Sequence, residues 1–490
     1  MKRVFLGLLA FFLLLGQDLQ GQTNVSQDST FVFQDSLRLT RRPWRAVVQA
    51  AGMNVGVWAF DRFVMNEDFA RISAKSIRHN FEHGFVWDND QFSTNLFAHP
   101  YHGNLYFNSA RSNGLSFWES FPYAVGGSLM WEFLGETEPP AINDLLATSI
   151  GGTALGEVTH RLSQLVLDDS KRGFARFGRE FLGLLINPMQ GLNRMIDGDM
   201  WKVRNRFHRY HDYESIPVNF LMSVGSRYLA SDNHLFKGEL NPYIEMKLFY
   251  GNPFDNGLKP YDYFHLDVSF GLSSNQPLIH KINLLGQLWS RSRQSSDGID
   301  FTFGIFQHFN YYDSEEVFDG SGIIPYKISE AASVGPGIIY RFPQYNSLMN
   351  LEQSVYLSAI LLGGSLTDYY QFVDRNYNMG SGFSIKNRTL LDFGRYGLFA
   401  LNVHLYNIYT WKGYENKDVS TINPIYLNAQ GDKGNVILTV VNPVIELNLN
   451  QNWKVGMEFS YFARQTYYSF HPNVHFETFE SRLGLIYQFK

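Results

Sequence analysis

The sequence predicts an α+β arrangement: an N-terminal helical module followed by an antiparallel transmembrane β-barrel of about 12 strands. Three observations predict it. From about Pro217 to Phe489 apolar and polar side chains alternate, as they do when one strand face meets lipid and the other a wet lumen. Aromatic residues make up 16% of the chain, with 42 Phe and 28 Tyr, which suits the aromatic girdles of such barrels. Before about Tyr210 the apolar residues recur instead at helical spacing.

Taken in order, Lys2-Arg3 followed by the apolar run Val4 to Leu15 reads as a secretory signal, with cleavage expected near Gly21-Gln22. The chain has no Cys, which excludes a lipidated anchor, disulfides and thiolate chemistry. Helices are expected over Pro43–Met65, Ser116–Leu134, Pro140–Leu167 and Phe174–Ile186. None has an apolar run long enough to span a bilayer. Small residues at close-packing spacing, Gly152 with Gly156 and Ala124 with Ser128, predict tight helix contacts. Ser116 and Glu119 form a capping-box pattern, and Pro140 suits a first helical turn. The expected domains are a signal peptide at 1–21, a periplasmic-side helical module at 22–210 and an outer-membrane barrel at 211–490.

Strand centres fall near residues 223, 243, 267, 286, 305, 334, 357, 385, 403, 442, 460 and 483. Phe264, Leu266, Val268 and Phe270, for example, interleave with His265, Asp267 and Ser269. An even count closes a barrel without edges. Counting back from the C-terminus, tight connections (Asn450-Gln451-Asn452, Phe393-Gly394-Arg395) alternate with long ones (412–433, 365–378, 312–326). Short periplasmic turns and long external loops would place both barrel ends in the periplasm; the pattern weakens at the first two hairpins.

The most unusual text runs from His99-Pro100-Tyr101-His102-Gly103-Asn104 through Ala110-Arg111-Ser112-Asn113-Gly114, Trp131-Glu132 and Asn143-Asp144 to Gly156-Glu157 and His160. Here the chain resembles the domain-of-unknown-function family 3943, predicted outer-membrane proteins of Gram-negative bacteria with a helical N-terminal region and a β-rich C-terminal part. The resemblance extends to Gly304-Ile305-Phe306-Gln307-His308-Phe309. It implies location and architecture and carries no activity.

The candidate catalytic residues are His99, Arg111, Glu132, Asp144, Glu157 and His160. Glu132 and Glu136, four apart, are expected on one helical face with Ser128. Glu157 and His160 have the Glu-x-x-His step of di-iron bundles and are the candidate metal ligands. Only one copy of that step occurs, so a structural cluster with Arg161 is the simpler reading. Ser112-Asn113-Gly114 is similar to the His-x-Ser-Asn-Gly motif of outer-membrane phospholipases, but Ala110 stands where the base would be. In the barrel, His265, Asp267, Asn402, His404, Glu446, Asn448, Glu458 and Arg464 are assigned to the lumen, since they would be costly in lipid.

The net charge of −5 argues against nucleic-acid binding. The expected partners are outer-membrane lipids and a periplasmic protein; no cofactor is expected. The favoured reading is non-enzymatic: a structural, transport or partner-docking barrel that the helical module plugs or caps. The alternative is an envelope hydrolase acting on lipid or glycan through polar residues of the helices.

Overall fold

The computed structural model describes residues 41–88, 90–203, 217–231, 235–294, 298–317, 324–342, 349–370, 376–411, 413 and 431–489. The expected signal peptide and the module boundary near Tyr210 lie outside the described residues. The chain divides into two compact units, one helical and one, from Ile216 on, a barrel.

In the helical unit, α1 (Pro43–Phe60) runs into a π-helical turn, Asp61–Met65. Then come α2 (Ala74–His83), α3 (His99–Arg111), α4 (Phe117–Leu134), α5 (Ile142–Leu146), α6 (Gly152–Val166), α7 (Gly173–Ile186) and α8 (Pro188–Ile196). Sequence periodicity missed α2, α3 and α8. α3 buries Asn104, Asn108 and Ser109 as well as Tyr106 and Phe107, so it lacks the apolar stripe that marks an amphipathic helix. Its polar groups pair internally: Asn108 Nδ2 donates to Gly156 O at 3.0 Å, and Asn187 Nδ2 donates to Asn108 Oδ1 at 2.8 Å.

The capping box at Ser116 and Glu119 is present. Two helical expectations need correction. α5 begins at Ile142, not Pro140, because the Pro140 carbonyl accepts from Val86 N at 2.8 Å in an extended bridge. α4 ends at Leu134, so Glu136 lies beyond its Gly135 cap and does not share a helical face with Glu132.

α5 and α6 are joined by a π-helical turn, Ala147–Gly151, a local widening of the kind found at functional or close-packed sites. It sits against α3: a Cβ on Gly103 would fall 1.7 Å from Thr148 O, and one on Gly152 would fall 2.5 Å from Gly103 Cα. The small residues thus set a near backbone-to-backbone crossing.

The barrel closes with twelve antiparallel strands. They are β1 (Val218–Ser231), β2 (Glu239–Tyr250), β3 (Phe264–Gly271), β4 (Ile279–Gln294), β5 (Asp300–Asp313), β6 (Lys327–Arg341), β7 (Asn350–Leu366), β8 (Tyr377–Asp392), β9 (Gly397–Thr410), β10 (Gly434–Asn448), β11 (Trp453–Tyr468) and β12 (Val474–Phe489). Each strand pairs with its sequence neighbours, and β1 pairs with β12 from Phe220↔Phe489 to Ser231↔Thr478. All twelve expected centres fall inside strands. Outward positions such as Phe301, Phe303, Leu357, Ile385, Met457, Phe459, Leu483 and Leu485 are exposed, the apolar band of a lipid-facing surface.

The first connections depart from the expected alternation of length, most of all the one between β2 and β3. Gly251–Tyr263, between β2 and β3, is long although it lies at the short-turn end. It folds into the barrel: Pro253 O accepts from Thr302 Oγ1 at 2.8 Å, and Phe254 is buried against Phe306, Ile339 and Tyr356. The Arg341 guanidinium lies 4.4 Å from the Phe254 ring centroid.

Candidate functional sites

The six candidates of the helical unit gather into two groups. Arg111, Glu157 and His160 form the first, on α3 and α6. Arg111 Nε donates to Glu157 Oε2 at 2.6 Å and Arg111 Nη2 to Glu157 Oε1 at 2.9 Å, while Arg161 Nε reaches Oε1 at 2.9 Å. Burial alone would raise the Glu157 carboxyl, but the two guanidiniums outweigh it and hold the group at about 2. His160 is pushed down to about 3 by burial and by Arg111. Both Glu157 oxygens are engaged by guanidinium donors, which makes this a self-neutralised ion-pair cluster between packed helices.

His99, Glu132 and Asp144 form the second group. His99 Nε2 lies 3.4 Å from Asp144 Oδ1, and Glu132 Oε2 accepts from Ala141 N at 2.7 Å. Glu132 is 1% exposed; burial pushes its carboxyl up to about 8. Asp144 is raised well above the usual range by burial and by the charges of Asp88, Glu132, Glu136 and Asp90, and Glu136 by burial, Glu132 and Asp88. Burial lowers His99 to about 4 and His102 to about 3. Among the described residues, Asp88, Asp90 and His99 place one ligand atom each within 4.8 Å of one another, the spacing that could hold one divalent ion. Asp88 and Asp90 carry no sequence signal beyond being acidic; they arrive here because Val86 bridges to Ala141.

Ser112, by contrast, ends α3 and is buried, and Asn113 Nδ2 donates to Gln49 Oε1 at 2.6 Å and Ser109 O at 2.7 Å. No histidine approaches it among the hydrogen bonds of the described residues. This segment is a helix terminus.

In the barrel, a cavity of about 320 Å³ is lined by His265, Asp267, Asn402, His404, Glu446 and Glu458, as strand parity predicts. Arg464 instead pairs with Asp368 at 2.5 Å, and Asn448 Nδ2 donates to Gly394 O at the turn end. Charges in the lumen form pairs: across strands, Lys281 lies 2.7 Å from Asp267 and 3.1 Å from Glu245, and Arg482 lies 3.0 Å from Glu245; along β12, Arg482 lies 2.5 Å from Glu480. Lys386 pairs with Glu330. Towards the long-loop end, inward residues build an apolar stopper from Leu229, Tyr312, Tyr326, Ile408, Val440 and Phe462, with Val317 added by the loop before β6. Tyr326 OH donates to Glu480 Oε2 at 2.7 Å and accepts from Arg227 Nη1 at 2.9 Å. Parity alone assigns these residues to the lumen; that they meet in its middle depends on the barrel's narrow bore.

No curated protein sequence matches the chain. Among solved structures, the chain is similar to the NanC porin, at 12% identity over 54% of this chain and 98% of that one, with a TM-score of 0.28. It is similar to an anion-selective porin from Comamonas acidovorans at 9% identity over 56% and 99%, TM-score 0.22. It is similar to the Ralstonia pickettii toluene transporter TbuX at 8% identity over 56% and 89%, TM-score 0.22. These likenesses are distant, and the barrel rests on its own strand pairing. In the helical unit, the match to a known family covers residues 84–189 and so takes in both groups of candidate residues; Gly304–Phe309 lies outside it. The family model that matches this segment, residues 84–189, is DUF3943, a domain of unknown function.

Proposed function

We propose that the protein is an outer-membrane barrel that admits a small solute to a gated luminal chamber, with the helical unit acting on the periplasmic side as its cap. The observation that carries this is the chamber itself: about 320 Å³ of the lumen beneath the apolar stopper, with Tyr263 of the inward-folded segment 251–263 in its wall. A barrel serving only as an anchor has no need of a polar-lined chamber closed at one end by apolar groups. The exposed apolar outer band supports the membrane location. The asymmetry of connection lengths supports the orientation.

Conductance of the full chain in planar bilayers tests the gate. The wild type is expected to conduct far less than an open porin, and Phe462→Ala/Ile408→Ala is expected to raise conductance several-fold by thinning the stopper. A wild type that conducts freely, or a double variant that conducts no better, refutes the gate.

A second reading, an envelope hydrolase, is favoured by Glu132, a buried carboxyl raised to about 8 beside Ala141 in the His99–Asp144 group, where it would suit general acid–base work. It expects Glu132→Gln to abolish turnover of lipid or glycan; the barrel reading expects the same variant to conduct as the wild type does.

A further inference from the structure

The chamber lining contains an imbalance that names a ligand class. Lys247, Lys281, Lys386, Lys454 and Arg482 all line it, and each has a carboxylate partner: Lys247 at 3.1 Å from Glu245, Lys454 at 3.1 Å from Glu446, and the others as described above. Arg388, on β8, also lines the chamber, yet among the described residues no carboxylate lies within ion-pair distance of it. Its guanidinium sits 5.6 Å from the Phe249 ring centroid. Phe249 stacks in turn on His265, with centroids 4.4 Å apart and planes 10° from parallel. Arg388 is half-buried and so keeps donors free towards the chamber, and the five donors of Arg form a planar fork matched to a carboxylate.

A second feature is independent of Arg388. His308 is 3% exposed, lines the same chamber, and its Nε2 has no hydrogen-bond partner; His265 Nε2 is also without one. Buried polar atoms in folded proteins are normally satisfied; these two ring nitrogens lie just behind the chamber wall, where a small turn of either ring would present a polar atom to an occupant. The rest of the wall mixes asparagines such as Asn283, Asn310 and Asn402 with aromatic and aliphatic side chains, among them Tyr263, Tyr356, Leu285 and Leu390. A fully hydrated inorganic anion would leave that wall unused. A neutral hydrocarbon would leave Arg388 uncompensated.

We propose that the luminal chamber binds a small organic carboxylate with a planar, aromatic body, its carboxylate on Arg388 and its ring among Phe249, His265 and the neighbouring tyrosines. The volume lies at the small end of ligand pockets, which start at about 300 Å³, and suits a single ring. This rests on the gated-chamber reading for access to the site, and binding is measured separately from conductance.

The test is isothermal titration of the full chain in detergent micelles with benzoate, toluene and acetate as three separate probes, folded state being checked by heat-modifiable migration. Saturable benzoate binding is expected, with toluene and acetate each at least about tenfold weaker. Arg388→Gln is expected to weaken benzoate by at least about tenfold. Arg388→Lys keeps the charge and loses the fork, so it gives an intermediate loss and guards against a folding defect in the first variant. Absence of saturable benzoate binding, or unchanged affinity in a folded Arg388→Gln protein, overturns the site. Toluene or acetate binding as tightly as benzoate overturns the ligand class. If benzoate binds while the stopper variant fails to raise conductance, the site stands and the transport reading falls.

Discussion

Glu132 and Glu157 are both buried glutamates on the helices of one unit, and their surroundings drive them in opposite directions. Glu157 is clasped by Arg111 and Arg161 and stays ionised far into acid. Glu132 accepts from the Ala141 N–H, and burial lets it keep its proton to about 8. The two therefore contribute to stability with opposite signs. Unfolded, Glu132 ionises near its ordinary 4.5, so its neighbourhood is most favourable below that pH and loses stability as pH rises towards 8. The buried histidines oppose this trend only below their ordinary 6.5, where they stay neutral in the fold and charge in the unfolded chain. Between pH 6.5 and 8 the carboxylates dominate. Thermal melts of the full chain followed by helical circular dichroism are thus expected to fall across that range, by at most about 1.4 kcal/mol per pH unit for Glu132. Glu132→Gln, which retains an acceptor for Ala141 N, should flatten the fall; an unchanged slope would show that Glu132 is not its source. At this scale little was legible. The sequence singles out Glu132 and Asp144 as polar residues in an unusual stretch, but the approach of Asp88 and Asp90 requires the bridge from Val86 to Ala141, which no local spacing announces.

At the scale of elements, the helix pair α3 and α6 shows how far small residues reach. The π-helical turn before α6 swings the Thr148 carbonyl towards Gly103, and the glycine is what admits it. Gly152→Ala would drive a methyl group against the Gly103 backbone and is expected to cost about 3 kcal/mol, read from chemical unfolding of the helical signal. Gly126→Ala, where an added Cβ meets nothing within 4 Å, should be neutral or slightly stabilising; equal losses at both sites would refute the close crossing. Gly152 and Gly156 could be picked out from spacing because close packing needs small side chains on one face. α3 could not be recognised as a helix, since burying asparagines and a tyrosine in place of an apolar stripe erases the periodicity on which such recognition depends. The strands behaved differently. Alternation of period two survives even where the inward residues are charged, because lipid outside imposes an apolar requirement on every second position.

For the whole molecule, every strand of the barrel finds both its partners within residues 218–489. A chain truncated to residues 216–490 is accordingly expected to fold in detergent and to migrate faster before boiling than after. Failure to fold would show that the barrel depends on the helical unit, a dependence that strand pairing does not require. Strand number and register direction were legible because closure leaves few alternatives. The filled bore was not, because parity states which way a side chain points and says nothing about what it meets 10 Å away.

Tyr326 joins the loop-end stopper to Arg227 of β1 and Glu480 of β12, the two strands that complete the ring. Those strands are at opposite ends of the sequence of the barrel and pair with each other to close it. Tyr326 takes one partner from each, so it holds both only where the two strands lie side by side. The closure that removes the free β-edges is thus also what gives the stopper's tyrosine both of its anchors.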